Sequence, residues 1–283
     1  MRATHLLLLP VIFIGINTSA LAKNKTIKTT KKAKHDVWIT WGWNRDFFSK
    51  SDLRLTGENY DVTLQKIVAN DRQSPFTFRQ YFQPNQITIP QYNFRLGYGL
   101  RKNWSISFGF DHMKYVMVNN QQITLNGTIN QGNNQYNGTY NNSNFTVKEN
   151  FLTFEHTDGL NYLNLELRKN HTVTNLNQWI KSKYTDLELQ VYGGFGAGIM
   201  FPRTNSKFLD FDRNDKFHVA GYGLASVCGI HFILHKYISA KMEVKSGFIN
   251  MPRIRTTPSK SDNGKQNFYF LQENISFGLR YPI

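Results

Sequence analysis

The chain has 283 residues, of which 40% are hydrophobic and 19% are charged, with a formal net charge of +15. Its mean hydropathy of -0.47 excludes a bundle of membrane-spanning helices after the N-terminal segment, because each such helix needs about 20 predominantly apolar residues. A membrane β-barrel is not excluded, because its strands alternate lipid-facing and lumen-facing residues and are polar on average.

The N-terminal segment is predicted to be a secretory signal peptide. An apolar run extends from Leu6 to Ile16, and Ala20-Leu21-Ala22 forms a small-x-small cleavage pattern. The run is shorter than a spanning helix and is interrupted by Pro10, which leaves a retained N-terminal anchor as the alternative. We predict three parts of the chain: a signal peptide at 1–22, a basic disordered leader at 23–35 and a barrel at 36–283.

The predicted leader contains six lysines and no acidic residue. Export would carry it away from nucleic acid, so we expect no nucleic-acid partner. We interpret it as a solvated tail, with contact to anionic lipid as the alternative.

Apolar and polar residues alternate with a period of two in eight segments that follow the leader. In the third segment, Trp104, Ile106, Phe108 and Phe110 fall on one side of an extended chain, and small or polar residues fall on the other. Such alternation is typical of β-strands with two different faces. In chain order the segments are DVWITWGWN, YNFRLGYGLR, WSISFGFDHMKYVM, GLNYLNLELRK, LELQVYGGFGAGIMF, HVAGYGLASVCGIHFIL, YISAKMEVKSGF and NFYFLQENISFGLRY. In the last segment Glu273 breaks the alternation, and a bulge there would turn it inward.

The connections between these segments alternate in length. Tight turns at Lys102-Asn103 and His235-Lys236 contrast with long connections such as 119–158 and 252–266. This layout predicts an all-β fold, an eight-stranded antiparallel transmembrane β-barrel with short periplasmic turns and long extracellular loops. Ten strands stay open at this point, because DVTLQKIV and QITIP in the first long loop are also strand-like.

The apolar faces of the segments are predicted to contact lipid. The opposite faces consist mainly of Gly, Ser, Asn and a few charges, which fit the narrow interior of an eight-stranded barrel. A secreted or periplasmic β-sandwich is the alternative, because a half-buried sheet shows the same alternation. Residues near strand ends are expected at the two membrane interfaces. These predicted lipid-interface residues are Trp41, Trp43, Tyr92, Trp104, His112, Lys114 and Tyr281.

The pattern from Asp36 to Ile283 resembles the small outer-membrane barrels of Gram-negative bacteria, of the OmpA, OmpX and OmpW type. The resemblance rests on the signal peptide, the eight amphipathic strands and the alternating loop lengths. It implies a monomer in the cell outer membrane, with lipid and lipopolysaccharide as partners. Members usually end in a terminal aromatic residue that assists assembly, whereas this chain ends LRYPI, with Tyr281 two residues early.

The inward faces carry charges that we expect to pair, because an isolated charge inside a narrow barrel is costly. A plug of ion pairs that fills the lumen is the main interpretation, and a gated ion path is the alternative. The predicted lumen network consists of Arg95, Arg101, Asp111, Glu166, Arg168, Glu188, Lys241, Glu243, Lys245 and Arg280.

Histidines near strand ends raise the question of enzymatic activity. Some barrels of this size are lipid A deacylases with a His-x-Ser pair, but none of the eight histidines here is followed two residues later by serine. We expect no catalytic, cofactor or metal site, and we leave Asp111, His112 and His156 as a residual candidate. His112 and Lys114 are instead predicted to hold the phosphate of an outer-leaflet lipid.

The sequence therefore predicts a non-enzymatic surface protein that has an occluded polar lumen. Its second long loop, NNQQITLNGTINQGNNQYNGTYNNSNF, exposes amides and aromatic rings suited to binding an external glycan or protein, with a solvated β-hairpin that extends above the membrane as the alternative. The alternatives are a narrow channel for small or apolar solutes and a lipid A-modifying enzyme.

Overall fold

The computed structural model describes residues 35–100, 103–175 and 187–283. The predicted signal peptide, nearly all of the predicted leader and Arg101 lie outside the described residues, so those assignments stay predictions. Among the described residues, no helix has the length and apolar character needed to cross a membrane.

Strands make up most of the described chain. They are β1 (Asp36–Phe48), β2 (Ser51–Gly57), β3 (Tyr60–Ile67), β4 (Ala69–Asn70), β5 (Tyr92–Gly99), β6 (Trp104–Met117), β7 (Gln122–Ile129), β8 (Gly138–Thr146), β9 (Leu152–Asn175), β10 (Glu188–Met200), β11 (Arg203–Phe208), β12 (Asn214–Phe217), β13 (Gly221–His235), β14 (Ile238–Ile254) and β15 (Asn263–Pro282). A short helix, α1 (Phe78–Phe82), lies between β4 and β5.

Eight of these strands form a closed antiparallel ring. Their order is β1-β5-β6-β9-β10-β13-β14-β15, and β15 returns to pair with β1. The closing seam runs without a register shift from Asp36↔Pro282 to Phe48↔Phe270. The ring confirms the predicted eight-stranded barrel.

The ring also decides between eight and ten strands. The DVTLQKIV segment lies in β3, which pairs with β2 and β7 outside the ring, and QITIP is not a strand. Glu273 breaks the alternation of β15, and the sequence suggested a bulge that would turn it inward. This was wrong, because β15 keeps a regular register there and Glu273 faces outward opposite Arg45.

Apolar side chains cover the outside of the ring in a belt. They alternate with buried inward residues, as expected for a pleated strand, and Phe108 is 45% exposed on this outer face. A closed antiparallel barrel with an apolar outer band is the architecture of outer-membrane β-barrels, so the belt marks the membrane-spanning part. The belt includes Val37, Ile39, Leu96, Ile106, Phe108, Leu165, Leu167, Phe195, Leu224, Met242, Val244, Ile275, Phe277 and Leu279.

Several strands continue beyond the belt at the long-loop end. There β15 pairs with β2, and the sheet extends through β3 and β7 to β8, while β11 pairs with β9. These strands enclose a second core, which is apolar and which we call the outer core. It includes Leu53, Leu55, Val62, Leu64, Met113, Tyr115, Leu125, Phe151, Phe154, Leu160, Phe208, Met251 and Phe268.

Candidate functional site

The candidate site is the lumen within the belt, and the pleat of four strands positions its charges. Arg95 of β5 and Asp111 of β6 alternate with outward-facing Leu96 and Phe110, so both side chains point inward. The same alternation turns Glu166 and Arg168 of β9, and Lys245 of β14, into the lumen. All five side chains are buried.

Two carboxylates and two cations form the centre of the network. An Nη2 atom of Arg95 lies 2.9 Å from Asp111 Oδ1 and 2.8 Å from Glu166 Oε1. The ammonium of Lys245 lies 2.5 Å from Asp111 Oδ2 and 2.8 Å from the same oxygen of Glu166. Each carboxylate therefore contacts both cations, and the four charges balance.

A second group continues the network towards the short-turn end. Arg168 contacts Glu166, and its Nη1 lies 2.8 Å from Glu243 Oε2. The Tyr192 hydroxyl donates to the same Glu243 oxygen at 2.8 Å, and the Arg168 guanidinium stacks over the Tyr192 ring at 5.0 Å. Cross-strand contacts of this kind join β9, β10 and β14 through the lumen.

Amide side chains complete the coordination of the carboxylates. Asn164 donates to Asp111 Oδ2 at 3.0 Å and accepts from Arg95 at 3.0 Å. Asn93 donates to Asp111 Oδ1, and Asn274 donates to Glu243 Oε1 at 3.2 Å. These asparagines were not among the predicted lumen residues, although the alternation pattern places them on the inward faces.

Lys241 is the buried cation without a carboxylate partner among the described residues. Its ammonium lies 3.6 Å from the centroid of the Trp38 ring, a cation–π contact that partly compensates for its burial. Trp38 points inward from β1 and is itself buried. The ladder of Lys241, Glu243 and Lys245 therefore contains two paired charges and one charge held by an aromatic face.

Two further predicted lumen charges, Arg280 and Glu188, have other partners. Arg280 pairs with Asp36 at 3.3 Å near the seam, where both side chains are partly exposed. Glu188 accepts from Thr172 at 2.5 Å and from Gln190 at 3.0 Å. The structure thus brings together Arg95, Asp111, Glu166, Arg168, Glu243 and Lys245.

The outer core lies above the network and closes the lumen at the long-loop end. Tyr162 is fully buried, donates to Gly223 O at 3.0 Å and packs against Phe270. Farther out, burial raises the pKa of Tyr115 to about 12, and its hydroxyl accepts from Gln266 at 2.7 Å. Aromatic rings and aliphatic side chains fill the space that an open channel would need.

Most of the predicted lipid-interface aromatics lie on the outer face. Trp41 stacks on Tyr92 at 4.5 Å, and Trp43 lies beside Phe277 of the belt at 6.5 Å. Trp104 lies at the short-turn end, where the Lys169 ammonium is 4.9 Å from the centroid of its ring. Tyr281 stacks on Tyr237.

His112 and Lys114 also lie on the outward face, but both are engaged within the protein. His112 is buried, its Nδ1 lies 2.8 Å from Asn161 Oδ1, and its ring stacks on Tyr92. The Lys114 ammonium donates to Ile89 O at 2.8 Å and to Ser74 Oγ at 3.5 Å. The first long loop therefore contacts Lys114, whereas His112 contacts β9 and β5, and the predicted contact of the two residues with a lipid phosphate stays a prediction.

The residual enzymatic candidates are not brought together. Asp111 points into the lumen, His112 points outward from the same strand, and His156 lies in the outer core. Neither ring nitrogen of His156 has a hydrogen-bond partner among the described residues. Burial lowers the pKa of His156 to about 3, with His218 as the second cause. Within the described ranges, no group of three or more His, Cys, Asp or Glu side chains is arranged to hold a metal ion.

No family model and no curated protein matches the chain. Solved structures do match it. The outer membrane protein OprG from Pseudomonas aeruginosa has 13% identity and a TM-score of 0.36, over 89% of this chain and 98% of that chain. Neisserial surface protein A has 8% identity and a TM-score of 0.31, over 90% and 100%. The outer membrane protease OmpT from Escherichia coli has 8% identity and a TM-score of 0.25, over 90% and 99%. With TM-scores this low, the function of the chain rests on its own residues.

Proposed function

We propose that the chain is a non-enzymatic outer-membrane surface protein, whose closed barrel holds a folded sheet outside the membrane for contact with an external ligand. The observation that carries the proposal is the filled lumen. Paired charges occupy it within the belt, and the outer core occupies it beyond the belt.

The pairing of the lumen charges favours a plug over an ion path. An ion path needs polar groups that exchange protein contacts for water or ions, whereas Asp111 and Glu166 each contact two cations here. Removing either partner would leave an uncompensated buried charge, so the network resists opening. The narrow-channel alternative finds no support in this arrangement.

The exposed sheet beyond the belt supports the surface role. Strand β8 lies at the end of the sheet order and, in the described part of the chain, pairs with β7 alone. Its residues Asn141, Asn142 and Asn144 are exposed, and it contains neither the lysine nor the proline that commonly protects an edge. Such an edge offers backbone and amide groups to an extended partner segment.

Two measurements test the proposal. Purified protein in planar bilayers should show little steady conductance, and large stable openings would favour the channel alternative. Lipid A extracted from cells that express the protein should have the same mass profile as lipid A from cells without it. A new deacylated product, lost in His112→Ala, would overturn the non-enzymatic assignment. Lys265→Ala is a suitable control variant, because Lys265 is an exposed residue of β15 beyond the belt.

A further inference from the structure

Part of the first long loop lies against the outside of the barrel. Lys114 of β6 donates to Ser74 Oγ and to Ile89 O, so a single outward-facing side chain holds both ends of the intervening segment. The Tyr81 hydroxyl also donates to Ser74 O at 3.1 Å. We call residues 74–90 the aromatic foot.

The aromatic foot is continuous with the lipid-facing belt. It contains α1, which begins after Thr77, whose side chain accepts from Gln80 N at 3.2 Å. The Trp43 ring lies 5.6 Å from the Tyr81 ring and 5.4 Å from the Phe82 ring. Since Trp43 also lies beside Phe277 of the belt, the foot begins at the level where the belt ends.

The foot exposes large apolar side chains that the described part of the chain leaves uncovered. Phe76 is 77% exposed and Phe78 is 78% exposed, and Phe82 and Ile89 are about half exposed, at 48% and 47%. The rings of Phe78 and Phe82 stack at 5.0 Å and form one surface. A contiguous exposed apolar patch of this kind marks an interaction site.

Charge supports an anionic lipid surface as the partner. Residues 72–90 include two arginines, Arg72 and Arg79, and no acidic residue. Arg72 pairs with Glu155 at 3.0 Å, while Arg79 is exposed on α1 and follows Phe78 in the sequence. Apolar rings beside an exposed cation are typical of segments that lie in a membrane interface.

We propose that the aromatic foot is an interfacial anchor that inserts Phe76 and Phe78 among the acyl chains of the outer leaflet and places Arg79 beside the anionic headgroups. The position of the foot favours the outer leaflet as its partner, because Trp43 contacts both Phe82 of the foot and Phe277 of the lipid-facing belt. This contact goes beyond the proposed surface role, because it concerns how a loop associates with lipid beside the barrel.

Site-directed spin labelling tests the anchor in the full chain. The exposed Cys228 is first changed to serine, and single labels are placed at Phe78→Cys, Phe108→Cys and Lys260→Cys. The protein is reconstituted in phosphatidylcholine–phosphatidylglycerol vesicles, and the collision rates of each label with oxygen and with a water-soluble nickel chelate are compared. Phe78 is largely exposed, so its substitution should not disturb folding.

We expect the oxygen-to-nickel ratio of the Phe78 label to lie between those of the Phe108 label in the belt and the Lys260 label in an exposed loop. A ratio equal to that of Lys260 would place the foot in water and overturn the anchor. A water-accessible Phe108 label would instead overturn the membrane barrel, so the two failures are distinguishable. An Arg79→Gln variant should raise the nickel accessibility of the Phe78 label in the anionic vesicles.

Discussion

The lumen network and the outer core are built by the same strands with opposite chemistry. Strand β9 contributes Glu166 and Arg168 to the polar lumen, and the same strand contributes Phe154 to the outer core. Strand β14 likewise changes from Lys245 to Met251 along its inward face. In both strands, buried polar residues give way to buried apolar residues as the chain leaves the belt.

The change follows the solvent outside the barrel. Within the belt the outside is lipid, so apolar residues face outward and the polar residues that remain must satisfy one another inside. Beyond the belt the outside is water, and burial of apolar surface again stabilises the fold. The polarity of the interior therefore reverses along the length of the strands. Within the belt the interior is polar, as in a membrane barrel, and beyond the belt it is apolar, as in a protein surrounded by water.

Breaking the lumen network should have the largest effect. Asp111→Ala leaves Arg95 and Lys245 with one carboxylate fewer, and removing one partner of a buried ion pair costs about 3 to 5 kcal/mol. Urea unfolding in lipid vesicles should show this loss. Ser107→Ala, on the same strand and face, is the control and should be nearly neutral, because the Ser107 hydroxyl forms no hydrogen bond within the part of the chain that the structure describes. Equal stability of the two variants would contradict the role of the network.

Opening a cavity in the outer core should have a comparable cost but a local effect. Leu64 is fully buried, and Leu→Ala at such a site costs about 2 to 5 kcal/mol. We expect Leu64→Ala to increase proteolysis of the four strands β2, β3, β7 and β8, which lie outside the ring. The barrel should keep its heat-modifiable migration on a denaturing gel. Gln65→Ala, the next residue on β3, should not change either property. Loss of the barrel itself would show that the two regions fold as one unit.

Reversing the polarity of the belt tests the outward face. Phe108→Arg places a charge against lipid near mid-membrane, at a cost of about 2 to 4 kcal/mol. Assembly in the outer membrane should fall, and Ile106→Val on the same face should have a mild effect. Normal assembly of Phe108→Arg would contradict the orientation of the barrel.

Acid should weaken the outer core before it weakens the lumen network. The pKa of His156 is about 3 in the fold, against about 6.5 in an unfolded chain, so the folded state disfavours the proton. Neutral His156 therefore contributes to the free energy of unfolding in full above a pH of about 6.5. This contribution is lost as the pH falls towards 3, and the loss is about 2 kcal/mol at a pH of about 5. Hydrogen exchange in β9 should rise at acid pH, and His156→Phe should reduce that rise. An unchanged pH dependence in the variant would assign the effect to other groups, such as His218.

The barrel could be predicted because the alternation of apolar and polar residues is visible within each short segment of the sequence. Alternation along each segment indicates which residues face lipid, and the confirmed ring of eight strands follows from the loop lengths. The same period of two also occurs in SDLRLTG and QITLNGTI, which form β2 and β7. Both segments lie in long loops of the predicted barrel, and a hairpin was considered for the second loop alone, where β7 pairs with β8.

The surroundings of His112 and Lys114 could not be found in the same way. The alternation pattern indicates that both residues face outward, which agrees with their place in the structure. It contains no information on the path of a loop whose covering residues, such as Ser74 and Ile89, are distant in sequence. Contacts between a strand and a remote loop depend on tertiary structure, and periodicity reports secondary structure alone.

The closing seam between β1 and β15 has a consequence for biogenesis. It joins the first and last strands of the described chain, so the contact with the largest sequence separation is also the one that removes the last free edges of the ring within the belt. An incomplete ring would present unpaired backbone groups to hydrocarbon, at several kcal/mol for each group. The chain therefore cannot insert strand by strand during synthesis: assembly must wait until β15 is available, and truncation within β15 should abolish insertion rather than shorten the barrel.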